Sequence, residues 1–169
     1  MNCLTQGFIA MVPAMLILTF AVTLKTMTGL LGADVYVAGL MQGASSGLTN
    51  MLPAIIFLVA CFLAFASGTS WGTFGILIPI VTGVFTDPAT GAIVPGAEHL
   101  IIIGVAACLA GAVMGDHCSP ISDTTIMASA GAQCNHINHV STQVPYVLTV
   151  AAISFVNYII AGFVQNVVI

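Results

Sequence analysis

Charge is what this sequence lacks. Lys25 is the single cationic residue among 169, and charged residues make up 4% of the chain, against the roughly 25% usual in soluble domains. One lysine offers no basic patch to follow phosphates, so nucleic acid is excluded as a partner. The same scarcity removes the lysine and arginine bias that would orient membrane segments. The five cysteines are an odd number, and Cys61 and Cys108 lie in apolar runs where a thiol behaves as a small hydrophobe, which argues against a disulfide framework. No cationic stretch leads into a short apolar segment with a small-residue cleavage site near Met1, so no cleavable signal peptide is expected. A glycine-rich phosphate loop and a nucleophile elbow are also missing, and no Ser/His or metal-ligand pairing at helical spacing replaces them. An enzyme is not expected, nor a bound cofactor.

What the chain has instead is apolar length. Hydrophobic residues make up 59% of it, and the mean hydropathy is +1.15. This predicts an all-α integral membrane protein, a polytopic bundle with discontinuous or re-entrant helices, forming one transmembrane domain over 1–169. A crossing of about 30 Å needs about 20 apolar residues at about 1.5 Å each. Residues 8–31 meet that length, with Pro13 near the start and Lys25 placed to snorkel from the far end. Residues 34–50, rich in Gly and Ser, read as an interfacial or half-buried helix.

Two interrupted pairs follow. In 52–85, apolar limbs 52–66 and 74–85 flank Ser67-Gly68-Thr69-Ser70-Trp71-Gly72-Thr73. In 100–132, limbs 100–114 and 121–132 flank Gly115-Asp116-His117-Cys118-Ser119-Pro120. Each limb reaches only roughly 18 to 22 Å, which would put both breaks inside the membrane. A re-entrant hairpin and a broken spanning helix fit equally. Between the pairs, 86–98 carries Asp87-Pro88, Gly91, Pro95 and Gly96 and reads as an aqueous loop. Residues 133–143 read as polar and aqueous, and 144–168 as a final span.

Non-helical backbone at membrane depth survives only where protein or water surrounds it, because each exposed polar group costs several kcal/mol in lipid. Freed carbonyls, helix ends and side-chain oxygens there become ligands for cations. The first break offers Ser67, Thr69, Ser70 and Thr73; the second offers Asp116, Ser119, Ser122, Asp123, Thr124 and Thr125. An aspartate at mid-membrane costs about 2.5 to 3.5 kcal/mol on insertion scales and marks function. Asp123 follows Pro120, a residue suited to a first helical turn, and is the leading candidate. Desolvation favours its protonated form and Na⁺ its ionised form, so one carboxyl can hold either. Bland readings compete: hydroxyls bond back to their own helix, Trp71 anchors at an interface, and His99 is solvated. Cys118, Cys134, His136 and His139 invite a zinc site, but Cys134-x-His136-x-x-His139 follows no common pattern and reads better as a loop or helix start.

The motif Ser67-Gly68-Thr69-Ser70-Trp71-Gly72-Thr73-Phe74-Gly75, with its run to Pro79, resembles the NhaC-type Na⁺/H⁺ antiporter family. So does Gly115-Asp116-His117-Cys118-Ser119-Pro120-Ile121-Ser122-Asp123-Thr124-Thr125, the more specific of the two. Leu52-Pro53-Ala54 and Gln143-Val144-Pro145-Tyr146 are also similar, and the likeness covers nearly the whole chain. It implies a multi-pass carrier of the cytoplasmic membrane exchanging Na⁺ for H⁺; some relatives carry malate and lactate, or tetracycline. It further implies Asp116, Ser119, Asp123 and Thr124 as ion-site residues, with Na⁺ at Asp123 and Asp116, and Ser67, Thr69, Ser70 and Thr73 at the tip of the first break. The family usually has acidic residues where this chain has Asn135 and Asn138. Its chains are much longer, so this one corresponds to a C-terminal portion. The expected partners are membrane lipid, the transported Na⁺ and H⁺, an N-terminal half or separate partner chain, and a second copy in a homodimer. A subunit inactive until it meets that half is the structural alternative.

Overall fold

The computed structural model of the chain describes residues 46–87 and 90–164, with isolated positions 5, 19, 23, 27, 30 and 31. Lys25 and most of the expected span 8–31 and of 34–50 lie outside the described residues.

Among the described residues five helices follow in order: α1 (Ser46–Ser67), α2 (Ser70–Val84), α3 (Glu98–Cys118), α4 (Asp123–Gly131) and α5 (His136–Val164). Among the described residues there is no strand, only one isolated bridge between Thr86 and Ile93. Among the described residues three helices are long and apolar enough to cross a membrane: Gly47–Ser67, Glu98–Cys118 and His136–Val164. The chain is thus an all-α membrane protein.

Helix α1 runs 22 residues, about 33 Å, and carries Pro53 inside it. It therefore starts before the apolar run at Leu52 and takes in Gly47, Thr49 and Asn50, residues whose helix propensity is low. It stops at Gly68, whose φ of +67° is left-handed backbone that other residues resist. Thr69 then caps α2 from extended backbone, its Oγ1 accepting from Gly72 N at 3.4 Å. The 15 residues of α2 end at Val84, and 85–97 turns back on itself, with Asp87 N donating to Ala92 O and Val94 N to Phe85 O. Helix α3 spans 21 residues, about 31 Å. Each first limb is thus a full crossing in length, and only the second limbs are short.

Small residues set the packing. Gly111 and Gly115 lie one turn apart on α3 against the backbone of α1, facing Phe57 and Ala60, then Cys61 and Ala64. Gly68 in turn meets Ile121. Rising numbers pair with rising numbers, so α1 and α3 run parallel and their breaks lie at the same end. Helix α2 returns along them, Val81 and Phe85 reaching Gly104. Helix α5 also runs back: Tyr158 donates to Ala106 O at 3.1 Å and stacks near Phe57, and Gly162 meets the backbone of Asn50. The core joins Ala60, Ala64, Leu77, Val81, Phe85, Leu100, Cys108 and Ala112.

Residues 136–143, expected in an aqueous segment, form the first two turns of α5, which spans 29 residues. Their polar side chains bond the helix itself, as Thr142 Oγ1 does to Asn138 O at 2.9 Å. Local hydroxyl bonding lets a polar stretch stay helical.

Candidate functional site

The second interruption is four residues long, from Ser119 to Ser122, between the end of α3 and the start of α4. Ser119 takes extended backbone at φ -74° and ψ 127°, and Ser122 does so at φ -68° and ψ 134°. Proline at 120 disfavours helical backbone at Ser119, so the sequence stops α3 there. Ser119 N donates to Asp116 O at 3.1 Å, and Ser122 N to Ser119 O at 3.3 Å, so the segment is a compact turn rather than an open loop.

Asp116 occupies the last turn of α3 and is 3% exposed; Ser119 and Ser122 are fully buried. Ser122 Oγ donates to Asp116 Oδ1 at 2.8 Å, and Thr124 Oγ1 to Asp116 Oδ2 at 3.3 Å. The two hydroxyl oxygens lie 2.7 Å from each other. Four oxygens thus close a ring at the carbonyl end of α3, where the helix dipole favours a cation. Such a ring can hold a proton on the carboxyl, or turn its lone pairs onto a small hard cation.

The other expected residues lie apart from this ring. Asp123 opens α4 but is exposed, and its Oδ1 accepts from Thr124 N at 2.8 Å. Ser119 Oγ accepts from Ile121 N at 3.4 Å. In the first break the hydroxyls serve their own backbone: Thr73 Oγ1, buried, donates to Thr69 O at 2.9 Å, and Ser67 Oγ, exposed, to Thr69 O at 3.5 Å. Ser70 is half-buried at the start of α2. The breaks meet through backbone and Ile121, not through these hydroxyls.

Two residues join the site beyond those that the resemblance singled out. Ser122 is the shorter of the two hydroxyl contacts to Asp116. His136 starts α5 with Nε2 2.7 Å from Pro120 O and Nδ1 3.0 Å from Ser129 Oγ. Its signal in the sequence was the Cys134, His136, His139 cluster; among the described residues no three such side chains converge on a metal position.

The family model of the Na⁺/H⁺ antiporter family matches residues 1–163. The chain is 43% identical over 160 residues to an uncharacterized protein of Haemophilus influenzae, covering 95% of this chain and 29% of that one. It is 32% identical over 124 residues to the arginine/ornithine antiporter ArcD of Halobacterium salinarum, covering 71% of this chain and 24% of the relative. It is 29% identical to the malate-2H⁺/Na⁺-lactate antiporter of Bacillus subtilis, covering 71% and 25%. The chain therefore spans between 24% and 29% of the length of these curated relatives. No solved structure matches it.

Proposed function

The chain belongs to the Na⁺/H⁺ antiporter family, and from that premise we propose that it forms part of a multi-pass carrier of the cell membrane that exchanges Na⁺ for H⁺ at Asp116. The observation that carries this reading is the ring in which buried Asp116 and Ser122 meet the exposed Thr124. Ser122 and Thr124 each donate to one oxygen of the Asp116 carboxyl. In the proposed exchange a proton on that carboxyl gives way to Na⁺, the hydroxyls turn their oxygens toward the ion, and the carboxylate supplies the countercharge.

Asp123, exposed beside the ring, draws cations toward it and completes the pair of carboxylates that the motif supplies. Ser119 stands behind the ring, and Ser67, Thr69, Ser70 and Thr73 shape the neighbouring turn. The rest of the carrier supplies the other wall, and alternating access moves the loaded ring between the two faces. The family is one of transporters rather than enzymes; Na⁺ and H⁺ are cargo, and no cofactor is required.

The test is Na⁺-driven proton flux in everted vesicles bearing the complete carrier. Asp116→Asn, which cannot exchange a proton for a cation, abolishes flux; Asp123→Asn retains a substantial part of it. Undiminished flux in Asp116→Asn removes the proposal. The names of the Halobacterium and Bacillus relatives raise a second reading, in which the carried ion is an amino acid or an organic acid. Counterflow of labelled arginine, ornithine, malate or lactate separates it from Na⁺/H⁺ exchange.

A further inference from the structure

The turn from Ser119 to Ser122 is held from two sides. On one side Gly68 lies against the carbonyl of Ile121, so closely that a Cβ there would sit 2.9 Å from that oxygen. On the other side the ring of His136 reaches the carbonyl of Pro120 at 2.7 Å, across 16 positions of sequence. A carbonyl only accepts, so Nε2 donates to Pro120 O, while Nδ1 lies 3.0 Å from Ser129 Oγ. Ser129 is buried on α4 and its Oγ also lies 2.9 Å from Ile126 O. One imidazole therefore ties the start of α5, the turn and α4 together.

We propose that His136 is a positioning residue for the ion site, the link through which α5 sets the shape of the turn that places Ser122 and Thr124 on Asp116. This rests on the reading of the Asp116 ring as the cation site. Pro120 lies two residues before Ser122, and Ser122 N bonds back to Ser119 O, so a displaced Pro120 carbonyl displaces the Ser122 hydroxyl with it. Helix α5 is otherwise mostly uncovered along its length and touches the turn at this end. A shift of α5 against α3 consequently reaches the ring through His136.

The discriminating variants are two amides. His136→Gln keeps a donor and an acceptor at the reach of Nε2, whereas His136→Asn is one methylene shorter and cannot span to Pro120. In proteoliposomes of the complete carrier, half-saturating Na⁺ and maximal rate are measured for both, with Asp116→Asn alongside. The expectation is that His136→Asn raises half-saturating Na⁺ by about 2- to 10-fold, the worth of one lost hydrogen bond. Its maximal rate changes less, and His136→Gln restores affinity to within about twofold. Stabilisation of the purified carrier by Na⁺ against heating gives a second measurement, shrinking in the Asn variant and kept in the Gln variant.

Unchanged affinity in His136→Asn overturns the proposal, as does equal impairment of the two amides, which marks a space-filling role. A loss confined to maximal rate overturns it too. If Asp116→Asn exchanges like wild type, it is the ion-site reading that fails, and the positioning role falls with it. If Asp116→Asn is inactive while His136→Asn binds Na⁺ normally, the positioning role alone fails.

Discussion

Ser122 Oγ lies 2.8 Å from Asp116 Oδ1, with neither residue more than 3% exposed. The contact closes the turn of Ser119 to Ser122 back onto α3, so the hydroxyl that shapes the interruption is also the one that satisfies the buried carboxyl. A hydrogen bond to a charged group is worth about 1.5 to 3 kcal/mol, and its removal here strands an acceptor away from water. Ser122→Ala is therefore expected to raise half-saturating Na⁺ by roughly 10- to 100-fold. Ser122→Thr, which keeps the hydroxyl, stays much closer to wild type. Sodium titrations of proton flux check this, and equal behaviour of the Ala and Thr variants would sink the ring as the binding element.

The seam between α1 and α3 predicts stability rather than transport. A Cβ added at Gly115 falls on the carbonyl of Cys61 and 2.9 Å from Ala64 Cβ; at Gly83 it meets nothing within 4 Å. Backbone cannot yield as a flexible side chain does, so Gly115→Ala separates the helices or fails to fold, at a cost of about 1 to 3 kcal/mol or more. Gly83→Ala gains instead about 0.8 to 1 kcal/mol of helix propensity. Thermal unfolding of the detergent-solubilised carrier should show the Gly115 variant well below wild type and the Gly83 variant at or above it. A Gly115→Ala carrier as stable as wild type would mean that the helices do not touch there.

Much of this layout was legible in the sequence. Both interruptions fall where clustered hydroxyls meet either Gly68 at positive φ or the residue before Pro120, backbone positions that end a helix. In the structure Gly104, Cys108, Gly111, Ala112 and Gly115 line the buried face of α3, and Asp116 continues it. That helical phase, rather than the order of residues after Pro120, decides which carboxylate is buried, and so Asp116 lies in the ring while Asp123 faces outward. Apolar length misjudged α1 at its start and α5 at its start. Helix continues through Gly47, Thr49 and Asn50 at one start, and at the other hydroxyls of Ser141 and Thr142 bond back to their own helix. The link from His136 to Pro120 spans 16 positions and depends on how α5 docks, which no local pattern encodes.

Parallel α1 and α3 make a prediction about sidedness. Both helices are of crossing length and both end in a break, and Gly68 touches Ile121 between those ends. The turn at 85–97 leads into α3 and therefore sits at the opposite end of that helix. In a carrier without native cysteines, Ser67→Cys and Asp123→Cys, both at exposed positions, should react with a membrane-impermeant maleimide from one face. Thr90→Cys, exposed in the turn, should react from the other. Everted and right-side-out vesicles supply the two faces. Breaks built on antiparallel crossings open to opposite compartments, so labelling of Ser67→Cys and Asp123→Cys from opposite faces would contradict the shared end. The single Asp116 ring would then no longer lie beside the first break.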